Sequence, residues 1–191
     1  NIREIPVDDA LRMDASALVR AIGEDKGRRP FLVVASAGTT NTGAVDPLHE
    51  IAAICAQHGL WFHVDGAYGA TFSLCETGRE ALAGIELADS ITFDPHKGLF
   101  LPYGTGGLVV RDGAALAAAH RSGAGYLQDL DEMAGGEEQP SPADYSPELS
   151  RPFRGLQVWV PLMLHGAGAF REALAERIRM ARWAYEQLKG F

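Results

Sequence analysis

The chain has 191 residues, 47% hydrophobic and 22% charged, which is the composition of a globular protein able to bury a core as one domain. The formal net charge of −8 argues against nucleic acid or an anionic membrane surface as the main partner. No apolar run reaches the roughly 18–20 residues of a membrane span, and no secretory signal pattern opens the chain, so a cytoplasmic location is expected.

Predicted strands and helices alternate from the beginning of the chain. A short strand is predicted at 3–7, and residues 14–25 have an acidic cap and helical periodicity. The apolar run 30–38 lies between Pro and Gly, which is typical of a strand buried on both faces. Residues 46–59 predict a helix with Asp46 at its N-cap.

Three further strands are predicted at 60–66, 89–96 and 104–112. A helical region extends to residue 83 between the first two, and the Ala-rich segment 113–120 predicts a helix after the third. This alternation predicts an α/β fold, a mainly parallel sheet with helices on both faces. Such sheets bind ligands at the carboxyl ends of their strands.

The remainder of the chain has two parts of different character. Residues 121–150 are rich in Gly, Pro and acidic side chains, and a loop of this length is usually functional or disordered. The pattern is then helical to the end, with breaks predicted at Pro161 and at 166–168. Of the two cysteines, Cys55 falls in the predicted helix 46–59 and is interpreted as a buried structural thiol; with Cys75 it forms no disulfide framework or metal spacing.

One lysine stands in an unusual setting. The chain has three, and Lys26 and Lys189 lie in polar or terminal stretches, whereas Lys97 stands between the strand of "ITFDPHKGLF" and an apolar segment. A lysine at the end of a strand can contact phosphate, form an ion pair, or act as a covalent catalyst. In apolar surroundings an amine gives up its proton more readily and attacks carbonyl groups.

A metal site is a rival interpretation of the same region. Strand alternation puts His63 and Asp65 on one side, and together with Asp94 and His96 they offer ligands for a divalent cation in a metallohydrolase. The absence of a third ligand cluster and the positive charge of Lys97 argue against it. Asp65 is equally able to cap the turn that follows it, and the residues taken singly leave these alternatives open.

Four motifs in order carry a family resemblance: "SAGTTNTGAVDPL" (36–48), "HVDGAY" (63–68), "ADSITFDPHKG" (88–98) and "SRPFRGLQVW" (150–159). This set resembles the group II decarboxylases that use pyridoxal 5′-phosphate, which include aromatic-L-amino-acid, histidine and glutamate decarboxylases. The resemblance implies the large cofactor domain of the aspartate-aminotransferase type (fold type I), incomplete in this chain.

The resemblance also implies roles for individual residues. Lys97 would form the Schiff base with the cofactor, and Asp65 would pair with its pyridine nitrogen so that the ring accepts electrons. Three residues would lie beside the ring or close to the phosphate: Ala67 against one ring face, Thr40 near the ring and its aspartate, and His96 near the phosphate. Ser90 is also assigned to the phosphate.

The resemblance also bears on Asp94, in the third motif, and on Tyr126, which lies between the third and fourth motifs. Some relatives have Asn where this chain has Asp94, and Asp94 is therefore assigned no role. In "GAGYLQD" the position of Tyr126 matches a tyrosine that protonates the α-carbon from a mobile catalytic loop, predicted here at 121–150; the alternative is a tyrosine that anchors a surface loop. Relatives that form aldehydes have phenylalanine there.

The domain organisation follows from the resemblance. Residues 1–158 match the central part of the cofactor domain, and 159–191 match a helix leading toward a small C-terminal domain. The serine that binds the phosphate and the ring that stacks on the cofactor lie outside the matched segment, so this segment alone is expected to be inactive. A homodimer with shared active sites is implied.

The predicted reaction is decarboxylation of an L-amino acid to an amine and CO₂. The apolar segment 99–102 is compatible with an aromatic or aliphatic side chain, of which the aromatic is preferred, while Arg151 and Arg154 leave glutamate open. Three alternatives stand: an aldehyde-forming or lyase reaction with the same cofactor, the metallohydrolase, and a non-catalytic member that only dimerises. No metal is implied by the resemblance.

Overall fold

The computed structural model describes residues 2–25, 27–120 and 142–190. These residues form two compact units, one made of Asn1–Val109 with Arg154–Phe191 and the other of Val110–Phe153. The strands are β1 Leu32–Ser36, β2 Trp61–Asp65, β3 Ser90–Phe93 and β4 Gly107–Val110. The α-helices are α1 Ala15–Glu24, α2 Leu48–His58, α3 Glu76–Ala81, α4 Pro95–Gly98, α5 Gly113–His120 and α6 Arg154–Leu188. Short 3₁₀ helices lie at Gly69–Leu74, Ile85–Leu87 and Pro142–Tyr145.

The four strands form one sheet in the order β1-β2-β3-β4. Strand β2 runs parallel to both β1 and β3, with Ser36 opposite Asp65 and Asp65 opposite Thr92. The prediction of a mainly parallel α/β sheet is thus confirmed. Because the three parallel strands end level with one another, the residues that follow them emerge at the same edge.

The main core lies on one face of this sheet. Alternate side chains of β1 and β2, among them Val33, Ala35, Phe62 and Val64, are buried against α1 and α2. In α2, burial raises the pKa of the Cys55 thiol to about 11, as expected for a structural cysteine. On the opposite face of β1 the side chains of Leu32 and Val34 are 41% and 48% exposed, so the expected second helical layer does not cover them within the described residues.

Helix α6 extends the core beyond the sheet. Phe170 and Leu174 are buried in a second apolar cluster with Leu99 and Leu101, which follow the Lys97 turn. The helix continues through Pro161, where a break was predicted, and its backbone leaves helical geometry at Gly166 (φ 75°, ψ 151°). Among the described residues no helix has both the length and the apolar character needed to cross a bilayer.

Two local predictions are wrong. Residues 3–7 form no strand; Val7 makes only an isolated antiparallel bridge with Met13. Helix α2 begins at Leu48, and the Asp46 carboxylate does not cap it. Instead it accepts the backbone N–H groups of Met13 and Ser36, both at 2.7 Å, and so fastens the segment before α1 to β1.

The division of the chain between residues 158 and 159 stays a prediction. Helix α6 begins at Arg154, inside the segment assigned to the cofactor domain. In the second unit, α5 packs against the 3₁₀ helix Pro142–Tyr145.

Candidate active site

Asp65 is the last residue of β2, and its carboxylate is exposed at the carboxyl edge of the sheet. Its Oδ1 atom accepts the backbone N–H of Ala67 at 3.1 Å and the hydroxyl of Thr92 at 3.4 Å. The first contact is the turn cap that the sequence left open as an alternative. Both contacts use the same oxygen and come from neutral donors, which orient the carboxylate at this edge without neutralising it.

The chain after Asp65 turns back tightly because two glycines allow close backbone packing. A Cβ atom added to Gly69 would lie 2.0 Å from the carbonyl oxygen of Ala37, and one added to Gly66 would lie 2.5 Å from the Cβ of Ala70. The Ala67 carbonyl then accepts the backbone N–H of Asp94 at 3.0 Å. This bond joins the end of β2 to the turn that carries Lys97.

Lys97 lies in the single helical turn of α4, which follows β3 directly. Asp94 occupies the N-cap position and Pro95 the first helical position, where a fixed φ favours helix initiation. The Lys97 Nζ atom is 2.6 Å from Oδ2 of Asp94, and the lysine side chain is 45% exposed. The expectation of an apolar setting for this amine is therefore wrong in this structure: the amine is half-exposed and paired with a carboxylate.

The backbone next to Lys97 packs against the 3₁₀ helix Gly69–Leu74. A Cβ atom added to Gly98 would lie 1.8 Å from the Thr71 hydroxyl oxygen, so only glycine allows α4 to approach the 3₁₀ helix Gly69–Leu74 this closely. The same 3₁₀ helix contains Ala70, whose backbone N–H donates at 2.9 Å to the carbonyl of Gly66, the residue directly after Asp65. One rigid element thus supports both residues that the resemblance assigns to cofactor chemistry.

His96 is fixed by its neighbours in one orientation. Its Nδ1 lies 2.6 Å from the Thr105 carbonyl oxygen, which only accepts, so Nδ1 carries the proton. The ring meets Tyr103 edge-on at 5.1 Å between centroids. Nε2, 3.9 Å from Oδ2 of Asp94, is the nitrogen that remains for a ligand.

Ser90 lies at the opposite end of β3 from these residues. Its buried hydroxyl accepts the indole N–H of Trp61 at 2.8 Å and contacts Nδ1 of His63 at 2.7 Å. Burial lowers the pKa of His63, and the charge of Asp65 acts in the other direction. The Ser90 hydroxyl thus already contacts two neighbouring side chains. Its predicted contact with the cofactor phosphate stays a prediction.

Thr40 is exposed in the loop after β1, at the same edge as Asp65. The loop is closed by the N–H groups of Gly38 and Thr39, which both donate to the Ala44 carbonyl at 3.1 and 3.0 Å. Tyr126 and most of the predicted catalytic loop 121–150 lie outside the described residues. In the ranges 2–25, 27–120 and 142–190, no three His, Cys, Asp or Glu side chains form a group able to hold a metal ion.

Asp94, to which the sequence motifs assign no role, forms an ion pair with Lys97 in the structure. A signal for it was present in the sequence. Pro95 predicts the first residue of a helical turn, and residues three apart on a helical turn face each other. The "DPHK" spacing therefore contains an acid–lysine pair.

The chain matches the family model described as "Pyridoxal-dependent decarboxylase conserved domain" over residues 1–190. The chain belongs to the pyridoxal-dependent decarboxylase family. The cofactor and the family predicted from the four motifs are thereby confirmed at the level of the family.

Individual relatives agree with this membership. The chain is 43% identical over 192 residues to an aromatic-L-amino-acid decarboxylase of Bacillus atrophaeus, covering 100% of this chain and 39% of the relative. It is 37% identical to a histidine decarboxylase of Drosophila melanogaster, covering 95% of this chain and 21% of the relative. The solved structure of Catharanthus roseus tryptophan decarboxylase in complex with L-tryptophan superimposes with a TM-score of 0.87 at 26% identity, covering 100% of this chain and 39% of that one. The chain thus spans about two fifths or less of the length of these proteins, as expected for an incomplete fold type I domain.

The residues of the site fit the cofactor of the family. Pyridoxal 5′-phosphate needs an amine for its aldehyde and an anion for its protonated ring nitrogen. Lys97 and Asp65 offer these groups on adjoining, tightly packed turns, and both side chains are accessible. The glycines beneath them leave no space for additional Cβ atoms, so the turns are firmly supported from the protein side.

Proposed function

We propose that the protein containing this segment decarboxylates an L-amino acid with an aromatic side chain, giving the amine and CO₂. One observation carries the proposal. The Asp94 N–H donates to the Ala67 carbonyl, and this bond joins the turn after Asp65 to the turn that carries Lys97 at one edge of the sheet. Family membership supports the reaction class. The names of the bacterial and plant relatives support the aromatic substrate.

When bound, pyridoxal 5′-phosphate supplies an electron sink for the charge left on the α-carbon as CO₂ departs. Asp65 maintains that sink, because a carboxylate beside the ring nitrogen favours its protonated form. Thr92 and the Ala67 N–H hold Asp65 through Oδ1, which fixes the direction of the carboxylate. Ala67, with its small side chain, leaves room for a flat ring beside it.

Lys97 binds the cofactor through its amine. Since α4 is a single turn anchored by Gly98 on Thr71, the lysine backbone stays fixed while the side chain moves. His96 presents Nε2 toward the same space, in a tautomer set by the Thr105 carbonyl, and is proposed to contact the phosphate. Tyr126 is proposed to protonate the α-carbon, and Thr40 to lie beside the ring.

The decisive experiment is trapping of the lysine. The full-length protein is incubated with pyridoxal 5′-phosphate, reduced with borohydride and analysed by mass spectrometry of its peptides. A phosphopyridoxyl group is expected on Lys97 and not on Lys189, which is an exposed in-chain control near the end of α6. Absence of label on Lys97 in the folded native protein would overturn the proposal.

The reaction outcome needs a second assay. With an aromatic L-amino acid as substrate, the amine is expected as the product, and release of an aldehyde would identify the alternative reaction. A Tyr126→Phe variant tests the proton donor: amine formation is expected to fall, and aldehyde to appear. Unchanged amine formation would refute the role of Tyr126.

We also propose that the protein is a cytoplasmic homodimer. Large apolar side chains exposed on this segment, such as Val34 on the sheet and Trp159 and Leu164 on α6, offer surface for association. The two cysteines are free, which agrees with a reducing compartment. Mass measurement in solution tests the dimer.

A further inference from the structure

The carboxylate of Asp94 forms an ion pair with Lys97. Asp94 occupies the N-cap of α4, a position where an aspartate ordinarily accepts backbone N–H groups of the helix. Here the carboxylate makes no such cap, and its Oδ2 atom lies 2.6 Å from Lys97 Nζ. This is a shorter ion pair than that of Lys189 with Glu186, at 3.8 Å.

The geometry leaves Asp94 little freedom to turn elsewhere. Its side chain is 22% exposed, against 45% for Lys97. Its N–H donates to the Ala67 carbonyl, and its carbonyl accepts the N–H of Lys97 at 2.9 Å. A Cβ atom added to Gly106 would lie 3.3 Å from Oδ1, so the β3–β4 connection closes against the carboxylate from another side. Asp94 is therefore the more enclosed partner of the pair, and Lys97 is the more exposed one.

An amine held in this way is not ready to react. To bond with an aldehyde, the Lys97 ammonium must leave the carboxylate and give one proton to solvent. The nitrogen then forms a C=N bond to the aldehyde carbon, and the other two N–H hydrogens leave with the aldehyde oxygen as water. Each of these events requires the 2.6 Å contact to open first.

We propose that Asp94 is a positioning residue that latches Lys97 in the cofactor-free protein and slows its capture of pyridoxal 5′-phosphate. This inference rests on the proposed function, because it concerns the same lysine. The latch stabilises the cofactor-free state. Asparagine at this position would keep the size of the side chain and the backbone bonds while removing the charge.

The test compares Asp94→Asn with the native full-length protein, both stripped of cofactor. Acetylation by an N-hydroxysuccinimide ester reports the availability of Lys97, with Lys189 in the same chain as the reference. The Lys97 to Lys189 ratio is expected to rise roughly two- to fivefold in the variant, the range that a partly exposed ion pair supports. Asp9→Asn, in an exposed turn before α1, makes the same change in net charge and is expected to leave the ratio unchanged.

The second readout is the rate of cofactor capture. Pyridoxal 5′-phosphate is added, samples are reduced with borohydride at intervals, and label on Lys97 is counted. Capture is expected to be faster in Asp94→Asn by a similar factor. An unchanged acetylation ratio, or an unchanged or slower capture, would overturn the latch.

A third measurement needs no variant and so does not depend on its folding. In the native cofactor-free protein, raising the salt concentration from about 0.05 to about 0.5 M screens the pair, and the Lys97 to Lys189 ratio is expected to rise. A flat or falling ratio would overturn the latch. If native Lys97 is never labelled by the cofactor, the proposed function fails; if it is labelled and Asp94→Asn changes nothing, only the latch fails.

Discussion

Asp65 and Thr92 face each other across β2 and β3, and the Thr92 hydroxyl donates to Oδ1 of Asp65 at 3.4 Å. The parallel register produces this pair, because it places Asp65, at the end of β2, directly opposite a residue of β3. The hydroxyl orients the carboxylate without neutralising it. Its charge remains available at the edge where Lys97 also lies.

Replacing Asp65 by Asn is expected to reduce decarboxylation by about 10²–10³-fold, the usual cost of losing one preorganised electrostatic group. Asparagine retains an oxygen for the Ala67 N–H, so the turn is expected to survive. The measurement combines steady-state rates with urea unfolding of the full-length protein. A variant that unfolds more easily but keeps its rate would show that Asp65 serves only as the turn cap.

Asp46, in contrast to Asp65, is an aspartate whose contacts stabilise the fold. It is 8% exposed and accepts two backbone N–H groups. Asp46→Ala leaves both donors without this acceptor, and a loss of about 2–4 kcal/mol in unfolding free energy is expected. Urea unfolding measures this loss of free energy, provided that the m-value does not change. A loss below about 0.5 kcal/mol would mean that water replaces the carboxylate as the acceptor of the two N–H groups.

His63 is expected to make stability depend on pH. Burial holds its pKa below the ordinary value of about 6.5, so between the two values the unfolded chain binds more protons. The stabilisation from a neutral His63 is present above about pH 6.5 and is lost as the pH falls through the lower folded value. Unfolding free energies at about pH 7.5 and 5.5 measure the loss.

His63→Gln is the control for this pH dependence. Glutamine does not titrate and still offers a polar group to Ser90. The loss of stability on acidification is expected to be smaller in this variant than in the native protein. An equal loss in both would assign the pH dependence to other groups.

The strands that form the site were predictable from the sequence because their signals are local. A continuous apolar run bounded by Pro and Gly marked β1, and Gly59 marked the end of α2 with the expected positive φ of 64°. The strand predicted at 3–7 was wrong because its pairing within the described residues is limited to the isolated bridge between Val7 and Met13. Asp46 was misassigned because Met13, one of its partners, lies 33 positions away.

The setting of Lys97 was misjudged for a different reason. The sequence places apolar residues directly after the lysine, yet Leu99 and Leu101 turn inward to Phe170 and Leu174. The lysine projects from the other side of the turn toward Asp94. Side-chain direction within one helical turn depends on where the turn is anchored, and that anchor is the packing of Gly98 on Thr71.

The tight packing beneath the site gives a final prediction. Gly69 is buried, and an added Cβ would lie 2.0 Å from the Ala37 carbonyl oxygen, which is backbone and cannot move aside cheaply. Gly69→Ala is therefore expected to cost about 1–3 kcal/mol and to separate the turn after Asp65 from β1. Both unfolding free energy and the rate of cofactor capture by Lys97 are expected to fall.

Gly23→Ala is the matched control, because Gly23 lies in α1 and an added Cβ would meet no atom within 4 Å apart from the adjacent backbone of its own helix. Alanine restricts the unfolded chain and favours the helix, so this variant is expected to gain about 0.5–1 kcal/mol without any change in capture rate. Opposite signs for the same chemical change would locate the effect in the contact with Ala37. If Gly69→Ala were as stable as Gly23→Ala, the close approach of Gly69 to Ala37 would have no energetic consequence, and the support that this packing gives the site would be refuted.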